Sequence, residues 1–554
     1  MSECLETRKT NCKNCYKCIR HCPIKSIKFT DGQAHIMRDE CILCGMCYVV
    51  CPQDAKRIRY DVDAAKELIK SGKPVYVSLA PSFAAWYHGA SVRDVEAALK
   101  KLGFAGAAET AVGAAIVKKE YEKMLKKHEK SIIISSCCHS INTLIQKHYT
   151  NALPYLAPVI TPMEAHARKI KEENENARVV FIGPCISKKA ESEKYPDGAD
   201  CVLTFTELDE WLAREGIDIE RTGEDDFKGR TRRFPTCGGI LDSMDKPDDY
   251  EYVAIDGTED CMRALESIDK GELKNCFIEM SSCSGSCIGG PVMKRRNTNP
   301  VEDKINISKY SGVTDFETDE VKEIRREYGF EGTSKVKASN ATIEEILRKM
   351  GKSSKEHELN CGSCGYNTCR EKAEAVFLGK ADLSMCLPYL KEKAESFSDK
   401  IINNTPNGII VLNDSLEIQQ INRAGLEILN LPPSADIVGS PIVRLLDPVD
   451  YVMALGKEQN VYDKKKYLAE YNKYVEETII FDKEYGFLML LMKDVTEDER
   501  QLEEKEMRSK TAVEITDKVV EKQMRVVQEI ASLLGETTAE TKIALTKLKD
   551  TLSE

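Results

Sequence analysis

Three short runs, far apart in the chain, carry cysteines in arrangements that a local metal loop does not explain: Ser135-Ser136-Cys137-Cys138, Pro184-Cys185-Ile186-Ser187-Lys188 and Cys283-Ser284-Gly285-Ser286-Cys287. A neighbouring pair, a Pro-Cys-x-x-Lys and a Cys-x-x-x-Cys are poor zinc patterns, since structural zinc draws on closely spaced Cys or His pairs. They are equally poor disulfide patterns. They become coherent if distant segments converge on one inorganic cluster, which demands a large domain whose chain returns repeatedly to one place.

Composition sets the compartment in which such a cluster is expected. The chain has 554 residues, enough for roughly three to five domains, and 22 of them are cysteine. Its start, Met1-Ser2-Glu3-Cys4-Leu5-Glu6, has neither the basic nor the apolar region of a secretory signal. No apolar stretch approaches the ~20 residues needed to cross a bilayer. A reducing, cytoplasmic setting is therefore expected, where clustered cysteines serve as metal ligands rather than disulfides. The net charge of −11 argues against non-specific nucleic-acid binding. Neither nucleic acid nor membrane is expected as a partner.

The first eight clustered cysteines form a tandem repeat. Cys12, Cys15, Cys18 and Cys22 follow C-x2-C-x2-C-x3-C-Pro, and Cys41, Cys44, Cys47 and Cys51 repeat the spacing up to Pro52. The repeat resembles the bacterial two-cluster ferredoxins, in which the fourth cysteine of each run ligates the other cluster. The resemblance implies one [4Fe–4S] cluster on Cys12, Cys15, Cys18 and Cys51, and a second on Cys41, Cys44, Cys47 and Cys22. A pair of zinc sites is the alternative, disfavoured by the closing prolines and the exact repeat. Paired clusters of this kind conduct electrons toward a redox centre.

From about Ser71 the pattern changes to strands alternating with helices. Val75 to Pro81 reads as a buried strand, Val92 to Leu102 as a helix, and Ile132-Ile133-Ile134 and Val179 to Ile182 as short apolar strands ending at the cysteine motifs. Ligands just past strand ends suit α/β architecture. The three motifs, in this order, resemble the signature segments of the [FeFe]-hydrogenase active-site domain. That resemblance implies an H-cluster: a [4Fe–4S] cube held by Cys138, Cys185, Cys283 and Cys287, bridged through Cys287 to a two-iron unit carrying CO, cyanide and an azadithiolate. It also implies that Lys188 donates to a cyanide and that Cys137 passes protons to the amine, with a thiol pKa near ~8.5.

The chain departs from the family where the two-iron unit would sit. His139 replaces the usual proline after the cysteine pair, Gly183 the methionine of the second motif, and Ser281 a methionine before Cys283. These changes are expected to alter the potential and rigidity of the centre and to slow turnover. Glu120 is the acid expected on the proton relay, in competition with a solvated helix charge, and Glu279 is the alternative acid near Cys283. His139 is either a packing residue or a proton carrier. Cys237, in Pro235-Thr236-Cys237-Gly238-Gly239, is a candidate for lining a gas cavity.

Further modules follow. Cys361-x2-Cys364-x4-Cys369 with Cys386 resembles the short four-cysteine [4Fe–4S] module of membrane redox subunits and corrinoid iron–sulfur proteins, with zinc as the alternative. Phe397 to about Val495 resembles a PAS domain, through Asn407 to Asn413, Ile421-Asn422-Arg423-Ala424 and the closing Asp494-Val495-Thr496. It contains no cysteine or histidine, so dimerisation or signal relay is favoured over haem binding. In the tail, Val513, Val520, Val527 and Leu534 recur every seven residues, a seam suited to a parallel coiled coil. Gly535 is expected to interrupt that seam, with Ile543, Leu545, Leu548 and Leu552 continuing an amphipathic helix, and folding back on the PAS domain is the alternative.

The reading is thus of a multidomain α/β and α+β chain: a 2[4Fe–4S] ferredoxin-like domain over 1–70, a two-lobed H-cluster domain over 71–355, a four-cysteine module over 356–394, a PAS domain over 395–496 and a helical coiled-coil tail over 497–554. The expected function is that of a sensory hydrogenase, binding or oxidising H2 reversibly and slowly. It would relay redox state through the clusters and the PAS domain to a separate phosphatase or kinase. Protons and a ferredoxin-type redox partner are expected, and homodimerisation through the PAS and coiled-coil parts. The alternatives are a ferredoxin-linked catalytic hydrogenase and a non-enzymatic iron–sulfur scaffold.

Overall fold

The computed structural model describes residues 4–8, 11–222, 228–297, 299–332 and 336–551. Residues 1–3 and 552–554, the outer ends of the expected first and last segments, lie outside the described residues. The chain divides into two compact units, Met1–Leu390 and Lys391–Glu554.

The first unit begins with two pseudo-repeated halves. Strand Leu5–Thr7 pairs antiparallel with Lys56–Ile58, and Ile27–Thr30 forms a hairpin with Gln33–Ile36. Each cysteine run carries a single turn of helix, Lys17–Arg20 or Met46–Val49, entered through a left-handed residue, Tyr16 or Gly45. Lys189, without solvent exposure, ties the end of this segment to the sheet region by pairing with Asp61 at 2.8 Å and Glu207 at 2.9 Å.

Two parallel sheets then form. The first runs in the order Gly106–Glu109, Val75–Leu79, Arg178–Gly183, Cys201–Thr204, and the second in the order Glu251–Asp256, Cys276–Ser281, Ile132–Ile134. Their central strands are short, apolar and buried on both faces, as parallel strands with helical crossovers must be. Helix starts are capped where the sequence supplies the groups: Ser91 with Asp94 and Thr204 with Glu207 form capping boxes, and Thr161 caps a helix that opens on Pro162. The expected helix after Ser91 spans Val92–Lys101. The two-lobed α/β reading holds.

In the second unit a five-stranded antiparallel sheet runs Ile418–Ile421, Gly408–Leu412, Phe487–Asp494, Lys473–Asp482, Val461–Leu468. Asn422, fully buried, accepts from the amides of Ile409 and Gly425 and donates to the carbonyls of Ile402 and Asn407. One side chain thus fixes where helix, turn and sheet meet. Helix Thr496–Thr551 follows, 56 residues without a break. Gly535 does not end it, in keeping with the amphipathic pattern that continues through Ile543 and Leu548: a glycine on an exposed face costs only about 1 kcal/mol against alanine, too little to stop a helix this long. Nor does the helix fold back on the sheet. Lys465 reaches Glu499 and Tyr474 reaches Glu503, and from Arg500 onward its described side chains are exposed. No helix among the described residues is long and apolar enough to cross a membrane.

Candidate metal centres

All 22 cysteines are free thiols, and the chain gathers many of them at strand ends and helix starts. Cys138 is the residue at which helix His139–His148 begins, just past strand Ile132–Ile134. Cys185 lies between strand Arg178–Gly183 and helix Ser187–Lys194. Cys283 follows strand Cys276–Ser281, and Cys287 sits in the turn Ser286–Gly289. One of these four cysteines thus follows the four-stranded sheet and three the three-stranded sheet. Cys283 and Cys287 each feel the charge that Cys138 and Cys185 would carry, and Cys287 also that of Cys137 and Lys188. Burial raises the Cys138, Cys283 and Cys287 thiols above their ordinary value, and the neighbouring thiols raise them further. A metal centre here would displace those protons, as thiolate ligation requires.

Four cysteines surround each further recess. Cys22, Cys41, Cys44 and Cys47 line one, and Cys361, Cys364, Cys369 and Cys386 line another. Cys18 lies within electrostatic reach of Cys12, Cys15 and Cys51. Among the described residues no group of three or more Cys, His, Asp or Glu converges closely enough for a single metal ion. The donors are soft thiols at the sequence spacings of iron–sulfur ligands, and they fit iron–sulfur cubes better than zinc.

The second cysteine run is the one set against the distant motifs. Cys44 lies within reach of Cys283. Gly45, at φ +74°, approaches so closely that a Cβ there would meet Pro291 Cβ at 2.6 Å and Ile186 Cδ1 at 2.9 Å.

Around the Cys137–Cys138 pair the polar groups are closely engaged. Ser136 N–H donates to Tyr121 Oη at 2.8 Å, which leaves the tyrosine proton for Cys137 Sγ at 3.3 Å or Ser136 Oγ at 3.0 Å. Burial pushes the Cys137 thiol up to about 12 despite Tyr121 and Lys188, so the expected value near 8.5 is corrected upward. Lys188 Nζ donates to Glu191 Oε2 at 2.6 Å. Burial works against its charge, but the Glu191 carboxylate outweighs burial and holds Lys188 above its ordinary pKa. Thr161 Oγ1 donates to the other Glu191 oxygen, and His139 Nδ1 lies 3.8 Å from Oε2. Burial lowers the imidazole to about 4. His139 is therefore a neutral, packed ring beside a buried ion pair.

The two candidate acids are engaged elsewhere. Glu120 is buried, not a solvated helix charge, but its carboxylate accepts from Arg325 Nε at 2.7 Å and lies 3.6 Å from Lys123. The next residue, Tyr121, is the one that reaches Cys137, and no charge marked it in the sequence. Glu279 is buried and accepts from the amides of Gly238, Ile240 and Leu241 at 3.0–3.1 Å. Burial outweighs those bonds and raises it to about 7. Cys237, in that same turn, is exposed. Gly183 has no room for the methionine its motif usually carries, because a Cβ there would meet Phe181 Cε1 at 2.8 Å. The Ser281 hydroxyl pairs with Ser286 at 3.0 Å. Glu191 itself escaped sequence reading, although its place three residues after Lys188 on a helix was the available signal.

Residues 73–291 match the family model described as iron only hydrogenase large subunit, C-terminal domain. Residues 5–65 match a 4Fe-4S dicluster domain, residues 358–388 an Fe-S cluster model, and residues 397–483 the PAS fold. Among curated proteins, one subunit of an ion-translocating oxidoreductase complex from Methanosarcina acetivorans is 37% identical over 51 residues, 9% of this chain and 19% of that one. The chain thus spans about a fifth of that relative's length. Among solved structures, an apo [FeFe]-hydrogenase from Chlamydomonas reinhardtii is 17% identical, with 50% of this chain and 100% of that chain covered and a TM-score of 0.36. The PAS domain of an HTR-like protein from Haloarcula marismortui is 17% identical, with 19% and 94% covered and a TM-score of 0.16.

Proposed function

We propose that this chain, which joins an iron-only hydrogenase domain to a 4Fe-4S dicluster segment and a PAS fold, is a sensory hydrogenase. The observation that carries the reading is the convergence of Cys138, Cys185, Cys283 and Cys287, with Cys137 and Lys188 beside them, at the ends of three parallel strands. When bound, the H-cluster supplies the interconversion of H2 with two protons and two electrons. Cys138, Cys185, Cys283 and Cys287 would hold its cube, with Cys287 toward the two-iron unit. Lys188, its aim fixed by Glu191, presents an ammonium to an anionic ligand. Cys137 carries a proton at Sγ, and Tyr121 Oη steadies that atom. The amino-terminal runs would hold two [4Fe–4S] clusters, with Cys22 and Cys51 crossing between them, and Cys361, Cys364, Cys369 and Cys386 a further one.

The sensing part rests on the chain beyond the last cysteine. Cys386 immediately precedes helix Leu387–Asn404, and the PAS sheet leads into a 56-residue helix whose apolar seam is open. A redox change can shift a conformational equilibrium only through differential interaction with two states, and such a helix suits a homodimer that presents them to a kinase or phosphatase. The engaged Glu120 and the packed His139 support slow turnover in a reducing cytoplasm. Infrared spectra of the matured protein with and without H2 test the reading. CO and cyanide bands that shift with H2, at turnover well below that of dedicated hydrogen producers, support it. Fast turnover points instead to a ferredoxin-linked catalytic hydrogenase, and the absence of such bands to an iron–sulfur scaffold.

A further inference from the structure

The four-cysteine module lies between the hydrogenase-type region and the PAS fold in sequence, yet it makes close contacts with the first cysteine run. Arg20 Nε and Nη2 donate to the carbonyls of Gly362 and Ser363 at 3.2 and 3.4 Å, and Lys25 Nζ donates to that of Gly365 at 3.1 Å. Phe29 N–H donates to Lys380 O at 2.7 Å, and Lys380 Nζ pairs with Glu40 at 2.6 Å. Gly365, at φ +90°, is the point of closest approach: a Cβ there would lie 3.0 Å from Ile19 Cβ and 3.1 Å from Tyr16 O. Arg20 and Lys25 donate to carbonyls of the module and Lys380 of the module to the carboxylate of Glu40, so cations on both sides make a specific seam.

Two aromatic rings pack at that seam, in one cluster with Ile19 and Cys364. Tyr16 is within reach of both Cys12 and Cys364. Tyr366, 3% exposed, lines the module's recess and is within reach of both Cys364 and Cys22. Its hydroxyl is buried without a hydrogen-bond partner. A lone buried hydroxyl costs free energy, and one beside Cys364 would gain an acceptor if sulfur of a cube bound there came within its reach.

We propose that the module is the direct electron partner of the amino-terminal cysteine runs, docked on them by Arg20, Lys25 and Gly365 with Tyr16 and Tyr366 at the seam. The inference rests on the proposed function, in which these cysteine sets hold [4Fe–4S] clusters. The two electrons that H2 oxidation to two protons supplies would pass one at a time: an amino-terminal cluster would give up one electron and be oxidised, the cluster on Cys361, Cys364, Cys369 and Cys386 would accept it and be reduced, and the second electron would refill the amino-terminal cluster; within this transfer no bond forms or breaks and no proton moves. Cys386 then joins the reduced module to the first turn of helix Leu387–Asn404. The Tyr366 hydroxyl donates to the module's cluster and favours its reduced form.

Electron paramagnetic resonance of the matured, reduced full-length protein tests this. The expected result is a spin–spin splitting between the module and amino-terminal signals that Gly365→Val abolishes at unchanged iron content. The milder Arg20→Ala serves if the valine variant does not fold, and should weaken the splitting. Tyr366→Phe should keep the splitting and lower the midpoint potential of the module cluster. A wild-type spectrum that is the plain sum of isolated clusters, or a splitting that survives both docking variants, overturns the inference while leaving the cluster assignment intact. Zinc in place of iron in either cysteine set overturns both.

Discussion

Lys188 and Glu191 form an ion pair of 2.6 Å in which the carboxylate has no solvent exposure. A buried pair of this kind is costly to break from one side, because the remaining charge has neither water nor a partner. Glu191→Gln should lower stability by about 3 kcal/mol. Replacing both partners, as Lys188→Met with Glu191→Leu, should recover most of that. Denaturant unfolding followed by tryptophan fluorescence reads this directly, since Trp86 and Trp211, the two tryptophans of the chain, are both packed in the core of the four-stranded lobe. Equal losses in the single and double variants would show that the pair is not what is lost.

The hydroxyl of Tyr121 gives a second prediction. Cys137→Ala should leave the iron content of the matured protein unchanged and slow H2/D2 exchange by about 100-fold, the usual worth of a positioned proton donor. Tyr121→Phe should slow it less, because Sγ remains and only its steadying bond is gone. A tyrosine variant as slow as the alanine variant would make Tyr121 itself a proton carrier.

His166 makes stability depend on pH. Its ring is buried, Nδ1 bonds Ser78 Oγ at 2.8 Å, and burial, with a smaller effect of Lys169, lowers its pKa to about 3. Above about pH 6.5 both folded and unfolded chains leave the ring neutral. Below it the unfolded chain binds the proton and the folded chain does not, so the ring's contribution to stability falls with pH from about 6.5 toward 3, by up to about 1.4 kcal/mol per unit. His166→Gln should flatten the pH 5–6.5 part of that slope in urea titrations. A wild-type and variant slope that coincide would mean that the ring is not the titrating group.

The tail supplies the fourth prediction. Val513, Val520, Val527 and Leu534 are 55, 52, 58 and 61% exposed, one heptad apart. Such a seam is stable in water only when another helix covers it. Val520→Glu with Val527→Glu should halve the mass seen by sedimentation, with the far-ultraviolet signal of the PAS sheet retained. A monomeric wild type at micromolar concentration would refute the pairing.

What the sequence disclosed was whatever depends on spacing. Cysteine intervals marked the candidate ligand sets because thiols wrapping a small object must recur at short, fixed separations, and the short apolar runs before Cys137 and Cys185 marked strands. What it withheld depends on three-dimensional neighbours. Tyr121 looked like an ordinary core aromatic beside the more conspicuous Glu120, and only the helix's rotation decides which of the two faces the cysteine pair. Strand Val461–Leu468 was missed because Asp463-Lys464-Lys465-Lys466 sits on an exposed edge and lacks apolar alternation. The docking of the module on Arg20 and Lys25 links positions more than 300 residues apart through backbone carbonyls, which leave no mark on side-chain identity.

The division of ligands between the two sheets has a mechanical side. Cys138, Cys283 and Cys287 belong to one sheet's strand ends, and Cys185 to the other's. A cube seated among them would act as a clasp between two plates, closed by a single bond to the four-stranded side.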